Sequence, residues 1–131
     1  MTVNTENYAR ELLFGRWYRE DTDVKGNKVV EYAIMSNDGS FEFTFISYDK
    51  KGSVIEQVTE YGDWGLVADI HFTFTKSECI EEAHYIADLN DPENYHAYRV
   101  LTLDHQIFQY QHILTEETYA MHRIVDTVGH C

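Results

Sequence analysis

The chain has 131 residues, of which 44% are hydrophobic and 15% aromatic, and this is enough apolar material for one folded domain with its own core. Ten basic residues against 23 acidic ones give a formal net charge of −13, which argues against nucleic acid and anionic membranes as partners, because both require basic surfaces. The sequence begins without a signal-like segment, has no stretch apolar enough to span a bilayer, and has too few cysteines for a disulfide framework. We therefore expect one cytoplasmic domain over residues 1–131.

The spacing of the apolar residues predicts the elements in chain order. Residues 1–14 form an N-terminal segment with a helix from Asn4 to Phe14, which Gly15 ends. A first strand follows from Phe14 to Glu20. Period-two alternation and turn residues then predict seven more strands, over residues 29–35, 41–45, 54–61, 66–74, 95–103, 106–113 and 117–125. A turn is expected at 61–65 and a loose tail at 126–131.

Residues 76–94 carry conflicting signals. Glu81, Glu82 and Ala87 favour a helix, whereas Tyr85 and Ile86 suit a strand. In an up-and-down barrel, the first and last strands pair antiparallel only if the number of strands is even. Because the other strands number eight, we expect a mainly β protein, an eight-stranded antiparallel up-and-down barrel, with a helical or irregular excursion near 76–94.

Gly15, Trp17 and Arg123 are expected to close one end of this barrel as a structural clasp. A glycine two residues before a tryptophan lets another segment pass close to the strand, and a guanidinium is attracted to the face of an indole. Trp17 lies near the start of the first strand and Arg123 near the end of the last, so the even strand number brings them together.

These residues resemble the lipocalin and wider calycin group. Gly15-Arg16-Trp17 is similar to the group's first-strand Gly-x-Trp, and Arg123 to its last-strand arginine. Asn94-Tyr95-His96 resembles a weak version of its Thr-Asp-Tyr motif. The resemblance implies an eight-stranded barrel with one small-molecule site inside. The chain departs from the group because two hairpin strands follow the Asn94–Tyr95 segment, and because the family disulfide and the long helix after the last strand are missing.

The alternation also predicts which side chains line the interior. We expect a ligand site that is aromatic on one side and hydrogen-bonding on the other. Its predicted residues are Tyr32, Phe43, Phe45, Gln57, Tyr61, Phe72, Phe74, Gln109, Gln111 and Tyr119. Buried Gln and Tyr side chains without partners cost about 1–3 kcal/mol each, so several of them facing one interior favour water or a polar ligand there. A filled core with satisfied polar groups is the alternative.

No cofactor, metal or catalytic residue is predicted. The seven histidines are dispersed, without the spacing of metal ligands, and the sequence has no phosphate-binding loop and no nucleophile motif.

Three functions fit this pattern. The first is non-catalytic binding of a small, partly apolar or aromatic molecule inside the barrel. The second is acid–base catalysis on a small phenolic or aromatic acid, as in the phenolic acid decarboxylases, which are lipocalin-like barrels that use Tyr, Arg and Glu. That chemistry would draw on Arg19, Glu31, Tyr32, Tyr61 and Tyr119, although the alternation predicts Glu31 on the outer face. The third is an interaction module that forms a homodimer through the outer aromatic residues Tyr18, Phe108 and Tyr110.

Overall fold

The computed structural model describes residues 7–125 and contains nine strands in one antiparallel sheet. The strands are β1 (Gly15–Thr22), β2 (Lys28–Met35), β3 (Ser40–Tyr48), β4 (Val54–Val67), β5 (Ile70–Ile80), β6 (Ala83–Ile86), β7 (Tyr95–Leu103), β8 (Ile107–His112) and β9 (Thr118–Arg123). All of them except β6 form a closed ring in the order β1-β2-β3-β4-β5-β7-β8-β9, in which β9 pairs with β1. The predicted eight-stranded antiparallel barrel is confirmed.

Helical structure is confined to two short 3-10 turns in the described part of the chain, Arg10–Leu13 and Pro92–Asn94. The predicted helix from Asn4 to Phe14 is not confirmed, because residues 7–14 contain only the first of these turns. Residues 1–6, and the predicted tail at 126–131, lie outside the described residues. Between residues 7 and 125, no helix has the length and apolar character needed to cross a bilayer.

The prediction of a helical or irregular excursion at 76–94 is wrong for the first half of that segment. β5 continues into it, turns at Glu81–Glu82 and returns as β6, which pairs with Ser77–Ile80. Both turn residues have positive φ, 50° and 69°, a conformation that the sequence does not signal because Asn and Gly are the usual residues there. β6 occupies the edge of β5 beyond Ile70–Phe74, where β5 pairs with β7. β6 is therefore an additional strand that lies outside the ring.

The region around Gly62 is the interior of a long strand, where the sequence predicted a turn. β4 passes through residues 61–65 with a bulge between Tyr61 and Gly62. A Cβ atom at Gly62 would lie 1.9 Å from the carbonyl oxygen of Phe74, so only glycine fits at this close approach of two strands.

The chain turns instead at Ala68–Asp69, inside the predicted strand 66–74. Ala68 has a φ of 55°, in the left-handed region that alanine rarely adopts. Since Leu66 and His71 are opposite each other in the register, this two-residue turn changes which alternate residues face inward. Inward positions have even numbers before the turn and odd numbers after it.

Apolar side chains fill the lower half of the barrel, beside the Arg10–Leu13 turn. They are Leu13, Trp17, Ala33, Met35, Phe41, Trp64, Val100, Leu103, Phe108, Tyr110 and Met121. Trp17 is fully buried, packs edge-to-face against Phe108 with a centroid distance of 6.0 Å, and donates its indole N–H to the carbonyl of Leu13 at 3.0 Å. This half of the barrel is a packed core.

The structure places Arg123 across the lower opening, over Trp17. Its guanidinium carbon lies 4.2 Å from the centroid of the indole. Its three nitrogens donate to backbone carbonyls: Nη1 to Phe14 at 2.6 Å, Nε to His105 at 2.7 Å, and Nη2 to Leu12. Gly15 has a φ of 116°, and a Cβ atom there would lie 2.9 Å from Nη1 of Arg123. The arginine thus ties the N-terminal turn to the last strand and to the loop between β7 and β8.

Candidate functional site

The upper half of the barrel encloses a cavity of about 190 Å³. It lies toward the loops that join β1 to β2, β3 to β4 and β8 to β9, at the end opposite Arg123. Every strand of the ring contributes to its lining, which consists of Arg19, Glu31, Met35, Phe43, Phe45, Glu60, His71, Thr73, Thr75, His96, Tyr98, Phe108, Tyr110, Tyr119 and Met121. A cavity of roughly 150 Å³ accepts one benzene ring, so this one has room for a single ring with one or two substituents.

An ion pair between Arg19 and Glu31 forms part of the cavity wall. The two residues are opposite each other on β1 and β2, and Nε of Arg19 lies 2.6 Å from Oε1 of Glu31. Burial raises the pKa of the Glu31 carboxyl, although the neighbouring guanidinium acts to lower it. For Arg19, burial acts to lower the pKa, but the negative charge of Glu31 outweighs burial and the pKa is raised. The guanidinium also lies 4.9 Å from the ring centroid of Tyr119.

Glu60 is the second carboxyl in the cavity. Its Oε1 accepts a hydrogen bond of 2.9 Å from the hydroxyl of Thr75, on the neighbouring strand. Burial raises the pKa of Glu60, and the negative charge of Glu78 adds to this effect. Two carboxyls with raised pKa values therefore lie in one enclosure with a single guanidinium.

Two histidines, His96 and His112, form a hydrogen-bonded pair at the upper rim of the cavity. Nδ1 of His112 accepts hydrogen bonds from the backbone N–H groups of Leu114 at 3.1 Å and Thr115 at 3.3 Å. In the neutral ring the proton of His112 therefore lies on Nε2, which is 3.1 Å from Nδ1 of His96. Nδ1 of His96 accepts this hydrogen bond, so in the neutral ring the N–H of His96 is on Nε2. The backbone contacts of His112 thus set the tautomer of His96, which is a residue of the cavity lining.

His71 lies where the cavity meets the core. It is only 3% exposed, and neither ring nitrogen has a hydrogen-bond partner among residues 7–125. Its neighbours are aromatic: the ring of Phe108 at 5.4 Å, and those of Trp64 and Tyr98 at 6.0 Å. Burial lowers the pKa of His71 to about 4, so the ring is neutral at physiological pH and presents one donor and one acceptor.

His71 makes a testable contribution to acid sensitivity. Its pKa is about 4 in the folded chain and 6.5 in the unfolded chain, so its contribution to stability is complete above pH 6.5 and declines as the pH falls toward 4. Each pH unit in this interval costs about 1.4 kcal/mol. We expect His71→Phe to remove this loss. In urea titrations, the free energy of unfolding of the variant should gain a few kcal/mol on the natural chain between pH 7 and pH 4.5.

Glu31 and Glu60 contribute to the pH dependence with the opposite sign, because their raised pKa values favour folding as the pH falls. The difference in the free energy of unfolding between the natural chain and His71→Phe therefore isolates the contribution of His71, whereas the pH curve of either chain alone does not. Parallel pH curves for the two chains would contradict the assignment.

Three tyrosines, Tyr98, Tyr110 and Tyr119, stack between the ion pair and the histidines. Tyr110 packs parallel to Tyr119 and edge-on to Tyr98, with centroid distances of 5.4 and 5.1 Å. Burial raises the pKa of all three phenols, that of Tyr119 to about 12. These hydroxyls are therefore protonated at physiological pH and can donate hydrogen bonds.

Three of the ten predicted lining residues, Phe43, Phe45 and Tyr119, lie on the cavity. The structure places the other seven away from it: Tyr32, Gln57, Tyr61, Phe72, Phe74, Gln109 and Gln111. On β2 and β8 the predicted alternation is correct, but the inner face is the opposite one. On β5 the Ala68–Asp69 turn reverses the pattern, so Phe72 is 38% exposed while His71 and Thr73 face inward.

The predicted outer positions of Glu31, Phe108 and Tyr110 are wrong as well. All three are at most 7% exposed and line the cavity. Of the aromatic residues proposed for an interaction surface, only Tyr18 is exposed. The sequence names Arg19 and Glu31 together for the enzyme alternative but does not predict their contact, although each lies three residues from the end of its strand at the loop that joins β1 and β2. It also does not predict the contact between His96 and His112, which no local spacing signals.

No protein family model matches the sequence, and no curated protein matches it either. Among solved structures, the chain is similar to a lipocalin-like protein from Bacteroides uniformis ATCC 8492, whose crystal structure was determined at 1.79 Å resolution. The superposition has a TM-score of 0.53 at 16% sequence identity and covers 86% of this chain and 99% of that one. The closed antiparallel ring of eight strands and this likeness confirm the predicted architecture: the chain has a lipocalin-like fold.

Proposed function

We propose that the chain binds one small molecule, non-covalently, in the upper half of the barrel. The observation that carries the proposal is the enclosure itself, a cavity of about 190 Å³ with an aromatic wall and several polar groups that point into it. Binding sites for small molecules are concave, mostly apolar and provided with a few placed polar groups. His71 supports the proposal, because a buried imidazole with no partner among residues 7–125 costs free energy that a ligand atom could offset.

The packed lower half argues for a small ligand. Trp17 and Phe108 are almost fully buried and fill the barrel below the cavity. A long aliphatic chain would have to displace this core, whereas a single ring fits above it. We therefore infer a ligand with one ring and few substituents.

A single-ring probe tests this function. Benzyl alcohol at millimolar concentrations should raise the melting temperature of the chain, and the rise should grow with concentration. Thr73→Phe places a ring in the cavity and should weaken the binding of benzyl alcohol at least ten-fold, because Thr73 is buried in its lining. Isothermal titration calorimetry measures both affinities.

Thr118→Phe is the matched control, since it makes the same exchange at an exposed position of β9 next to Tyr119. It should bind the probe like the natural chain. If Thr73→Phe folds and retains full affinity, the site lies outside the barrel. If the natural chain binds no single-ring probe of any charge, the proposed function is wrong.

An acid–base enzyme is the second candidate, and the raised pKa values of Glu31 and Glu60 favour it. Catalytic groups are often found where burial and neighbouring charges shift a pKa, although structural ion pairs shift pKa values too. Turnover separates the candidates: a binder returns every probe unchanged. Conversion of a small phenolic acid that Glu31→Gln abolishes, in a chain that still folds, would make the enzyme the better description.

A further inference from the structure

The charges that line the cavity do not cancel. Arg19 and Glu31 neutralise each other at 2.6 Å. Glu60 accepts a hydrogen bond from the hydroxyl of Thr75, and the neighbouring imidazole of His96 acts to lower its pKa, but among residues 7–125 no lysine or arginine forms an ion pair with it. When both carboxyls are ionised and the two histidines of the lining, His71 and His96, are neutral, the enclosure therefore has a net charge of −1.

The surroundings of Glu60 add to this imbalance. Glu78 is opposite Glu60 in the register of β4 and β5, and its charge raises the pKa of Glu60 further. An ionised carboxylate that is partly desolvated and next to a like charge gains free energy from a positive partner. The net charge of −13 for the whole chain also draws cations toward it.

The cavity wall suits a cation with an apolar body. Phe43, Phe45 and Tyr98 present aromatic rings to it, and Tyr119 already holds the guanidinium of Arg19 at 4.9 Å from its centroid. Aromatic faces attract cations through the quadrupole of the ring. An anion would meet the opposite conditions, because the only guanidinium of the lining is already paired with Glu31.

His71 is a second, independent indication of a ligand. Both of its ring nitrogens are buried without a partner among residues 7–125, at the floor of the same cavity. Because burial keeps this ring neutral at physiological pH, it offers hydrogen bonds to an occupant without repelling a positive charge.

We propose that the cavity takes a small organic cation, a protonated amine attached to one apolar or aromatic ring, with the ammonium group beside Glu60 and the ring against Phe43, Phe45 and Tyr98. This inference rests on the proposed function and specifies its ligand class.

Three probes of equal ring size and different charge test the proposal: benzylamine, benzyl alcohol and benzoate, each titrated calorimetrically at pH 7.5. Benzylamine should bind at least ten-fold more tightly than benzyl alcohol, and benzoate should bind more weakly than both. Glu60→Gln should reduce the affinity for benzylamine about ten-fold and leave that for benzyl alcohol unchanged.

Glu42→Gln is the matched control, because it changes the net charge equally on the outward face of β3, between Phe41 and Phe43. It should leave all three affinities unchanged, whereas Thr73→Phe should weaken benzylamine as it weakens benzyl alcohol.

Equal affinities for benzylamine and benzyl alcohol in the natural chain would overturn the cation proposal and leave cavity binding intact, and this comparison does not depend on any variant folding. Preference for benzoate would overturn it too. Tight binding of benzylamine that Glu60→Gln does not change would show that the amine binds to surface acids instead. If none of the three probes binds, the proposed function itself fails.

Discussion

Replacement of Trp17 by alanine is expected to lower the free energy of unfolding by about 3–5 kcal/mol, the usual cost of removing a large aromatic side chain from a core. Trp17 is fully buried, contacts Phe108 and donates a hydrogen bond to the carbonyl of Leu13. The cavity left behind would lie in the best-packed part of the barrel, where neighbouring strands cannot collapse around it. Denaturant titration of the variant measures the loss.

Two further variants separate packing from the arginine contact. Tyr18→Ala, one residue along and facing outward, should cost about 1 kcal/mol or less. Arg123→Ala removes the guanidinium 4.2 Å above the indole, and the double variant Trp17→Ala/Arg123→Ala should lose less than the sum of the two single losses. Strictly additive losses would contradict an energetic contact between Trp17 and Arg123.

Arg19→Met should cost about 3–5 kcal/mol at neutral pH, because it leaves the buried carboxylate of Glu31 without its partner. The loss should shrink as the pH falls. Burial already raises the pKa of Glu31, and without the guanidinium that pKa rises further, so the folded variant takes up a proton that the unfolded chain does not. A carboxyl with a raised pKa favours folding below its unfolded value of 4.5 and opposes it as the pH rises.

The double variant Arg19→Met/Glu31→Met is the control. It replaces both charges by apolar side chains of similar length and should recover most of the loss at every pH, since buried ion pairs contribute little compared with good apolar packing. A cost below about 1 kcal/mol for Arg19→Met alone at neutral pH would mean that water reaches Glu31, contrary to its 7% exposure.

The number of strands in the ring and the contact between its first and last strands could be predicted from the sequence, but the inner face could not. Alternation divides a strand into two faces, and the more apolar face is normally assigned to the inside. Here the cavity holds Arg19, Glu31 and Glu60, whereas Tyr32 and Phe72 point outward. A cavity lined by charged side chains reverses the usual rule, because its polar groups occupy inward positions.

The turns that were missed share a physical cause. Ala68, Glu81 and Glu82 all adopt positive φ without being glycine or asparagine, so their sequence gives no turn signal. The predicted number of strands in the ring is nevertheless correct. The turn predicted at 61–65 is absent and the turn at Ala68–Asp69 takes its place, so two strands still lie between residues 54 and 74. The prediction of the inner face contains no such pair of cancelling errors.

The pairing of β1 with β9 has a consequence for how the barrel assembles. Only two register pairs join these strands, Trp17 with Arg123 and Tyr18 with His122, and they connect residues 106 and 104 positions apart. Every other pair of neighbouring strands in the ring is either a hairpin or, for β5 and β7, spans a short insertion. The entropic cost of ordering a chain between its contacts rises with their separation, so we expect the seven local pairings to form first and the β1–β9 seam to close last. The seam can also part without disturbing any hairpin, and Arg123 holds it through side-chain hydrogen bonds where the ladder is short.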